Sequence, residues 1–360
     1  MAAATVYQRA LLIVLLSLFA ARLGRARENA ELGRKRKADL PAIADEPKTV
    51  DPATLMPESL TKSATCDLSD SSLIELVDWL REKQGIVVLL NKQALADIGM
   101  LPSEPVSDHL DSDPVYFLLN RLHALNLEWY LEDGIVHIGP AAEVESRLTT
   151  MPHNIGDLLD AGYERDTLME LIEEVVAPAS WGTVGGLGAL SSLGDVLFVR
   201  QTDGAQREVL GLLAALREHG RMTFSLDPPQ HAVFRQKLSH PMSVDFRDTP
   251  LETAVEELAE KSNADIRLDR PALQEIRIRQ REPVTLTLDE CKLETVLAAM
   301  LMDLELTWLL RDGVLWITSR QEAETFLKAA VYDVRDLCRD SDESDALRDA
   351  IRSQAAPDSW

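Results

Sequence analysis

From Val244 to Thr318 the apolar residues alternate between two periods. Leu251, Val255, Leu258 and Ala259 recur at helical spacing while Glu252, Glu256, Glu257 and Glu260 face away, which predicts an amphipathic helix. A second helix gathers Leu293, Val296, Leu297, Met300 and Leu301 on one face. The shorter runs Val244–Phe246, Asp265–Asp269, Val284–Leu288, Leu304–Leu310 and Val314–Thr318 read as strands. Asp312-Gly313 separates the last two, and a tight hairpin turn needs the positive φ that this pair tolerates. The expected order is strand, helix, strand, strand, helix, strand, strand. Thr249 is expected to cap the first helix, with Pro250 at the first helical position and Glu252 completing a capping box.

The same pattern occurs earlier. A shift of 178 residues lays Cys66–Leu122 on Val244–Met300: Asp67 and Asp70 fall on Asp245 and Asp248, and Leu73, Val77 and Leu80 on Leu251, Val255 and Leu258. After the second helix the shift is 179, and Trp129 falls on Trp308, Asp133-Gly134 on Asp312-Gly313, and Ala177–Trp181 on Ala356–Trp360. One shift with one inserted residue, matching at core and turn positions, implies two related units in tandem; two copies are too few for a solenoid. A smaller unit follows the first copy. Its expected elements are a strand at His153–Leu159, a helix at Asp166–Ala177, a hairpin of Leu190–Leu193 with Val196–Arg200, and a helix at Ala205–His219. Val331–Leu337 and Asp345–Gln354 repeat its first strand and helix, and the sequence ends before the rest.

The order of elements, D-F-x-D-x-P-L opening the first helix of the second copy, and x-D-G-V-L-x-I closing its hairpin resemble the short N-terminal domain of secretins and TonB-dependent receptors. The smaller unit resembles the KH-like ring domains that follow in secretins. The resemblance covers about Cys66–His219 and Val244–Trp360 and implies an α+β fold. The expected fold is a tandem repeat of a βαββαββ secretin-N-terminal-like unit plus a βαββα KH-like unit, with the second copy truncated. The expected division is a signal peptide at 1–26, a linker at 27–65, the two larger units at 66–139 and 244–318, KH-like units at 140–219 and, in part, 319–360, and a linker at 220–243. In those families such domains sit in the periplasm, assemble side by side and bind proteins. The resemblance therefore implies a non-enzymatic envelope protein acting in protein–protein interaction or assembly. It resembles envelope proteins of unassigned function that carry the pair repeatedly, because no β-rich segment follows that could form a pore. Two alternatives stay open: a fragment of a longer secretin-like or pilus-associated protein, and a small-molecule binder or enzyme using the cleft between units.

Charge and address sharpen this picture. The formal charge of −23 argues against nucleic acid, which is bound by neutralising phosphates. Ala10–Ala21 is apolar and follows Arg9; twelve residues are too few to span a bilayer and suit a signal-peptide core, with small residues before a cut after Ala26. Glu28–Ala64 reads as a polar tether, and its run Arg34, Lys35, Arg36, Lys37 is where a weak contact with an anionic envelope surface is expected.

Candidate chemistry is sparse. The seven histidines show no ligand spacing with one another or with Cys66, Cys291 and Cys338, and three cysteines build no disulfide framework. Cys291 aligns with Asp113 at a helix start. Gly182–Gly188 lacks the lysine and hydroxyl of a phosphate loop and reads as a flexible loop. His123 aligns with Leu301 and reads as a structural histidine. Asp67, Asp70, Asp245 and Asp248 precede helices and are expected to interact with their N-termini. No catalytic, metal or cofactor residue is assigned. His137 and Trp316, which differ at one strand position, mark an expected partner surface, and Val331 and Val334 mark a strand edge expected to pair or dock.

Overall fold

Two three-stranded sheets share one strand order. In the first, Ile135–Pro140 lies between Val88–Leu90, to which it is parallel, and Leu127–Glu132, to which it is antiparallel. In the second, Val314–Ser319 lies in the same way between Ile266–Leu268 and Leu306–Arg311. The computed structural model describes residues 11–13, 48–50, 56–69, 71–220, 222–334, 337–338 and 341–354, and the chain is a mixed α+β protein. Below, residues 56–146 are the leading unit, 149–219 the middle unit and 230–325 the trailing unit. Both hairpins turn at Asp-Gly with positive φ throughout: 51° and 77° at Asp133-Gly134, 49° and 74° at Asp312-Gly313. That is the geometry the dipeptide predicts.

Each sheet is backed by helices whose apolar stripe faces it. Leu73–Gln84 buries Leu73, Leu76, Val77 and Leu80; Leu251–Ser262 buries Leu251, Ala254, Val255 and Leu258. A second antiparallel pair of strands stands beside each sheet, Ser63–Asp67 with His109–Pro114 and Pro241–Pro250 with Pro283–Lys292. The strands of the trailing pair run longer than Val244–Phe246 and Val284–Leu288, and a short helix, Arg270–Glu275, stands between two strands where none was expected.

The capping expectations need correction. Thr249 lies on the strand, and the helix begins at Leu251 after Pro250, with no side-chain cap. The free N–H groups of Leu251 and Glu252 instead donate to the carbonyls of Glu282 and Gln280 at 2.8 and 2.9 Å, so a loop does the work of a cap. The capping box occurs in the leading unit, where Ser72 and Glu75 satisfy each other's backbone N–H groups. Asp67 accepts from the Ser69 N–H in a local turn, and Asp245 pairs with Arg247 and Thr287; neither caps a helix. Cys291 is the penultimate residue of the strand Pro283–Lys292, and the helix Leu293–Met302 that follows has Lys292 as its N-cap.

In the middle unit, Thr149–Asn154 pairs with Val196–Gln201, which pairs in turn with Ala189–Leu193. The first strand starts and stops earlier than His153–Leu159. The Asn154 side chain accepts the Gly156 N–H, turning the chain into a short helix, Gly156–Asp160. Gly182–Gly188 is a closed loop rather than a flexible one: Gly182 donates to the Gly188 carbonyl and Gly188 to the Ser180 carbonyl, both at 2.8 Å. The unit docks on the leading sheet through Asp203, which accepts the Leu131 N–H, and Arg207, which lies over the Trp129 ring.

Residues 220–243 are not merely a linker. They hold the strand Phe224–Leu226 and the helix Gln230–Leu238, because Phe224, Phe234 and Leu238 have cores to enter. The strand near the C-terminus is Ala329–Val331, shorter than Val331–Leu337. It pairs antiparallel with Phe224–Ser225, and Val331 joins the middle unit's core; Leu11–Ile13 lies parallel along its other edge. Arg34 to Lys37, Asp70 and Trp360 lie outside the described residues.

Candidate functional site

The helix Val115–Asn120 and the 3-10 turn Arg121–Leu125 of the leading unit lie against the outer sheet face of the trailing unit. Phe117 and Arg121 reach Gly313 at the hairpin tip, so closely that a Cβ on Gly313 would stand 3.2 Å from the Phe117 ring. Arg121 is almost wholly buried. It donates from Nε and Nη2 to the Asp312 carbonyl at 3.0 and 2.7 Å, and from Nη1 to the His109 carbonyl and the Asp108 carboxylate. Asp108 also accepts from Arg267 at 2.8 Å, while Arg267 is held by both oxygens of Asp265. Burial works against the Arg267 charge, but the Asp265 hydrogen bonds and the Asp108 charge outweigh it and hold its pKa above the ordinary arginine value. Asn120 bridges the units too, donating to Asp312 and accepting the Trp129 indole N–H. Trp129 is thus a packing residue with its polar handle satisfied.

A second cluster closes the far side of the seam. His231 donates from Nδ1 to Asp227 at 2.8 Å and accepts the Gly313 N–H on Nε2 at 3.1 Å. Asp227 also receives Lys328 at 2.7 Å and Arg235. Burial alone would raise the Asp227 carboxyl, but the His231 hydrogen bond and the Lys328 charge hold it well below the usual carboxylate range. Burial pushes Lys328 down, against the pull of Asp227. Asp227 and His231 have the form of an acid–base dyad, yet the nitrogen that would take a substrate proton is already occupied by the backbone. The pair fastens the seam. Among the described residues no group of His, Cys, Asp and Glu could hold a metal ion.

The residues singled out from sequence fall in different places. Trp316 lies inside the seam, 6% exposed, edge-on to the His123 ring at 5.5 Å. The chain itself therefore covers it. Burial, followed by the Arg311 charge, lowers the His123 pKa. His137, at the position matching Trp316, lies on the outer sheet face of the leading unit, stacked on Tyr130 with centroids 4.6 Å apart. That face is open: Val87 and Leu89 are 52% and 50% exposed. A groove of about 210 Å³ beside it is lined by Leu89, Tyr130, His137 and Glu143 among others. Val331 and Val334 are buried. The seam residues Asp108, Arg121, Asp265 and Arg267 escaped sequence reasoning. The signal lay in disagreement between the copies: Asp108 aligns with Leu286, Arg121 with Ala299 and Arg267 with Leu89.

No helix among the described residues is long and apolar enough to cross a membrane. No family model and no curated protein matches the chain. Among solved structures, XcpQ N012 is 15% identical, covers 68% of this chain and 98% of its own, and has a TM-score of 0.20. The N-terminal domain of the secretin XcpQ from Pseudomonas aeruginosa is 13% identical over 67% of this chain and 99% of its own, with a TM-score of 0.17. A GspC-GspD complex from the type II secretion system of enterotoxigenic Escherichia coli is 12% identical over 43% and 98%, also at 0.17. The chain is an α+β protein whose neighbours among solved structures include secretin N-terminal domains.

Proposed function

We propose that this chain is a non-enzymatic, exported envelope protein that acts in protein–protein interaction or assembly. Its leading and trailing units serve as tandem secretin-N-terminal-like docking modules, and the middle unit as a KH-like module. The observation that carries this reading is the contrast between two equivalent sheet faces. In the trailing unit the face bearing Leu309, Val314 and Trp316 is buried against protein. In the leading unit the matching face, with Val87, Leu89, Tyr130 and His137, is open. Aromatic and aliphatic side chains gathered on an open face of an acidic protein suit a protein partner. The test is a photo-crosslinkable residue at position 87 in intact cells, with adducts identified by mass spectrometry. Protein adducts in the envelope fraction are expected. Adducts confined to cytoplasmic proteins, or no protein adduct at all, would overturn the reading.

A further inference from the structure

The internal seam joins unlike faces of two related units: a helix face of the leading unit meets a sheet face of the trailing one. Shifting each participant by the repeat offset identifies the two faces that this pairing leaves unused. The sheet face containing Arg267, Leu309 and Trp316 corresponds to Leu89, Tyr130 and His137 of the leading unit, which are half or partly exposed. The helix face containing Phe117, Asn120, Arg121 and Ala124 corresponds to Thr295, Ala298, Ala299 and Met302 of the trailing unit. Phe117 and Arg121 are buried in the seam, whereas Thr295 and Ala298 are exposed and Met302 is 63% exposed.

We propose that these two leftover faces bind each other between two copies of this chain, so that copies join head to tail. The proposal rests on reading the units as tandem docking modules and deepens it by naming the partner.

The chemistry of the two faces matches residue by residue. Inside the chain, Asp108 meets Arg267 as an ion pair; shifted by the offset, the same two positions are Leu286 and Leu89, so an apolar pair takes its place. Arg121 becomes Ala299, whose small side chain lets the helix approach the Asp133-Gly134 turn without a buried charge. Ala124 packs against the cluster that includes Trp316; its counterpart Met302 is larger, while the counterpart of Trp316 is the smaller His137, flanked by the groove. A flexible thioether against the Tyr130–His137 stack is a favourable contact. Polarity also keeps the two seams apart. Asp108 would meet Leu89 in place of Arg267, and Leu286 would leave Arg267 with only the Asp265 carboxylate, so each helix face favours its own sheet. Because the joined faces are unlike, every added copy presents a fresh sheet face and a fresh helix face. Such contacts make a ring if the rotation closes and a filament if it does not.

The test uses the full chain, Leu89→Glu, Met302→Glu and a mixture of the two variants. All are followed by sedimentation velocity over a concentration series, with thermal unfolding to verify folding. The wild type should grow with concentration beyond the 40.0 kDa chain, and each variant alone should remain a single chain with an unchanged unfolding midpoint. Mixed, the variants should form a heterodimer and stop, since one intact sheet face and one intact helix face remain between them. A wild type that stays a single chain at every concentration would overturn the proposal while leaving the crosslinking test of function standing. Self-association retained by Met302→Glu alone would show a symmetric contact and overturn it too.

Discussion

Arg121 and Asp312 are 191 residues apart in sequence and belong to different units, yet the Arg121 guanidinium forks onto the Asp312 backbone carbonyl with both bonds at 3.0 Å or less. The carbonyl is available because Asp312 occupies the first position of a hairpin turn with positive φ. A planar guanidinium can make two such bonds at fixed angles, which a lysine ammonium cannot.

Arg121→Ala should therefore loosen the seam. Removing one partner from a buried ionic network costs about 3–5 kcal/mol, because Asp108 and Asp312 lose buried partners. Chemical denaturation is expected to split into two transitions as the units uncouple. Arg121→Lys should restore only part of the loss, and a single unshifted transition would show that the seam does not couple the units.

Leu258→Ala removes a wholly buried side chain from the helix Leu251–Ser262. The expected loss is roughly 2–5 kcal/mol, as for other large-to-small core changes. A loss below about 0.5 kcal/mol in denaturant unfolding would mean that this face is not core.

Two histidines should give the fold an acid sensitivity above the carboxylate range. Burial lowers the pKa of His123 and of His153, which is hydrogen-bonded to Gln206. A histidine with a lowered pKa in the folded state binds fewer protons there than in the unfolded chain. Its neutral form stabilises the fold fully above the unfolded value, near 6.5, and that contribution falls as pH drops below it toward the folded value. Thermal unfolding midpoints should decline between about pH 7 and pH 5, and His153→Gln should flatten part of the decline. An identical slope in wild type and variant would remove His153 from the account.

Gly186 occupies a place no other residue can take. A Cβ there would stand 2.1 Å from the Ser180 carbonyl group, which is backbone and cannot swing away. Gly186→Ala should open the loop and expose Trp181, now 1% exposed with its N–H on the Val176 carbonyl. A red shift and quenching of the tryptophan emission would report this; an unchanged spectrum and midpoint would contradict it.

The pairing of Ala329–Val331 with Phe224–Ser225 predicts that this short strand is stable only on the middle unit. Phe224→Ala should speed amide exchange at Ala330 and Val331 together with the middle unit's core. Unchanged protection at those amides would show that the strand is held by something else.

Much of the fold was legible in the sequence. The apolar stripes of Leu73–Gln84 and Leu251–Ser262 and the two Asp-Gly hairpins follow from local periodicity and turn chemistry, which neighbouring residues decide among themselves. What failed was also local in appearance. Thr249 has the type and spacing of a cap, but the strand pairing with Val284 took it, and the loop carbonyls of Gln280 and Glu282 filled the vacancy. The stretch 220–243 looked like a linker because Phe224, Phe234 and Leu238 are too widely spaced to show a period; they become core only when other units stand beside them.

The sequence by itself determined the apolar stripes of the two long helices, the Asp-Gly hairpins and the unequal charge of positions related by the shift. Only tertiary structure decided which of two similar sheet faces would be covered. Trp316 and His137 hold the same place in the repeat, and nothing in their neighbours along the chain separates a buried tryptophan from a half-open histidine. The difference arises where Asp108 and Arg121 come within reach of Arg267 and Asp312. A desolvated charge is tolerated only beside its partner, so the ionic network closes one face and leaves the apolar one open.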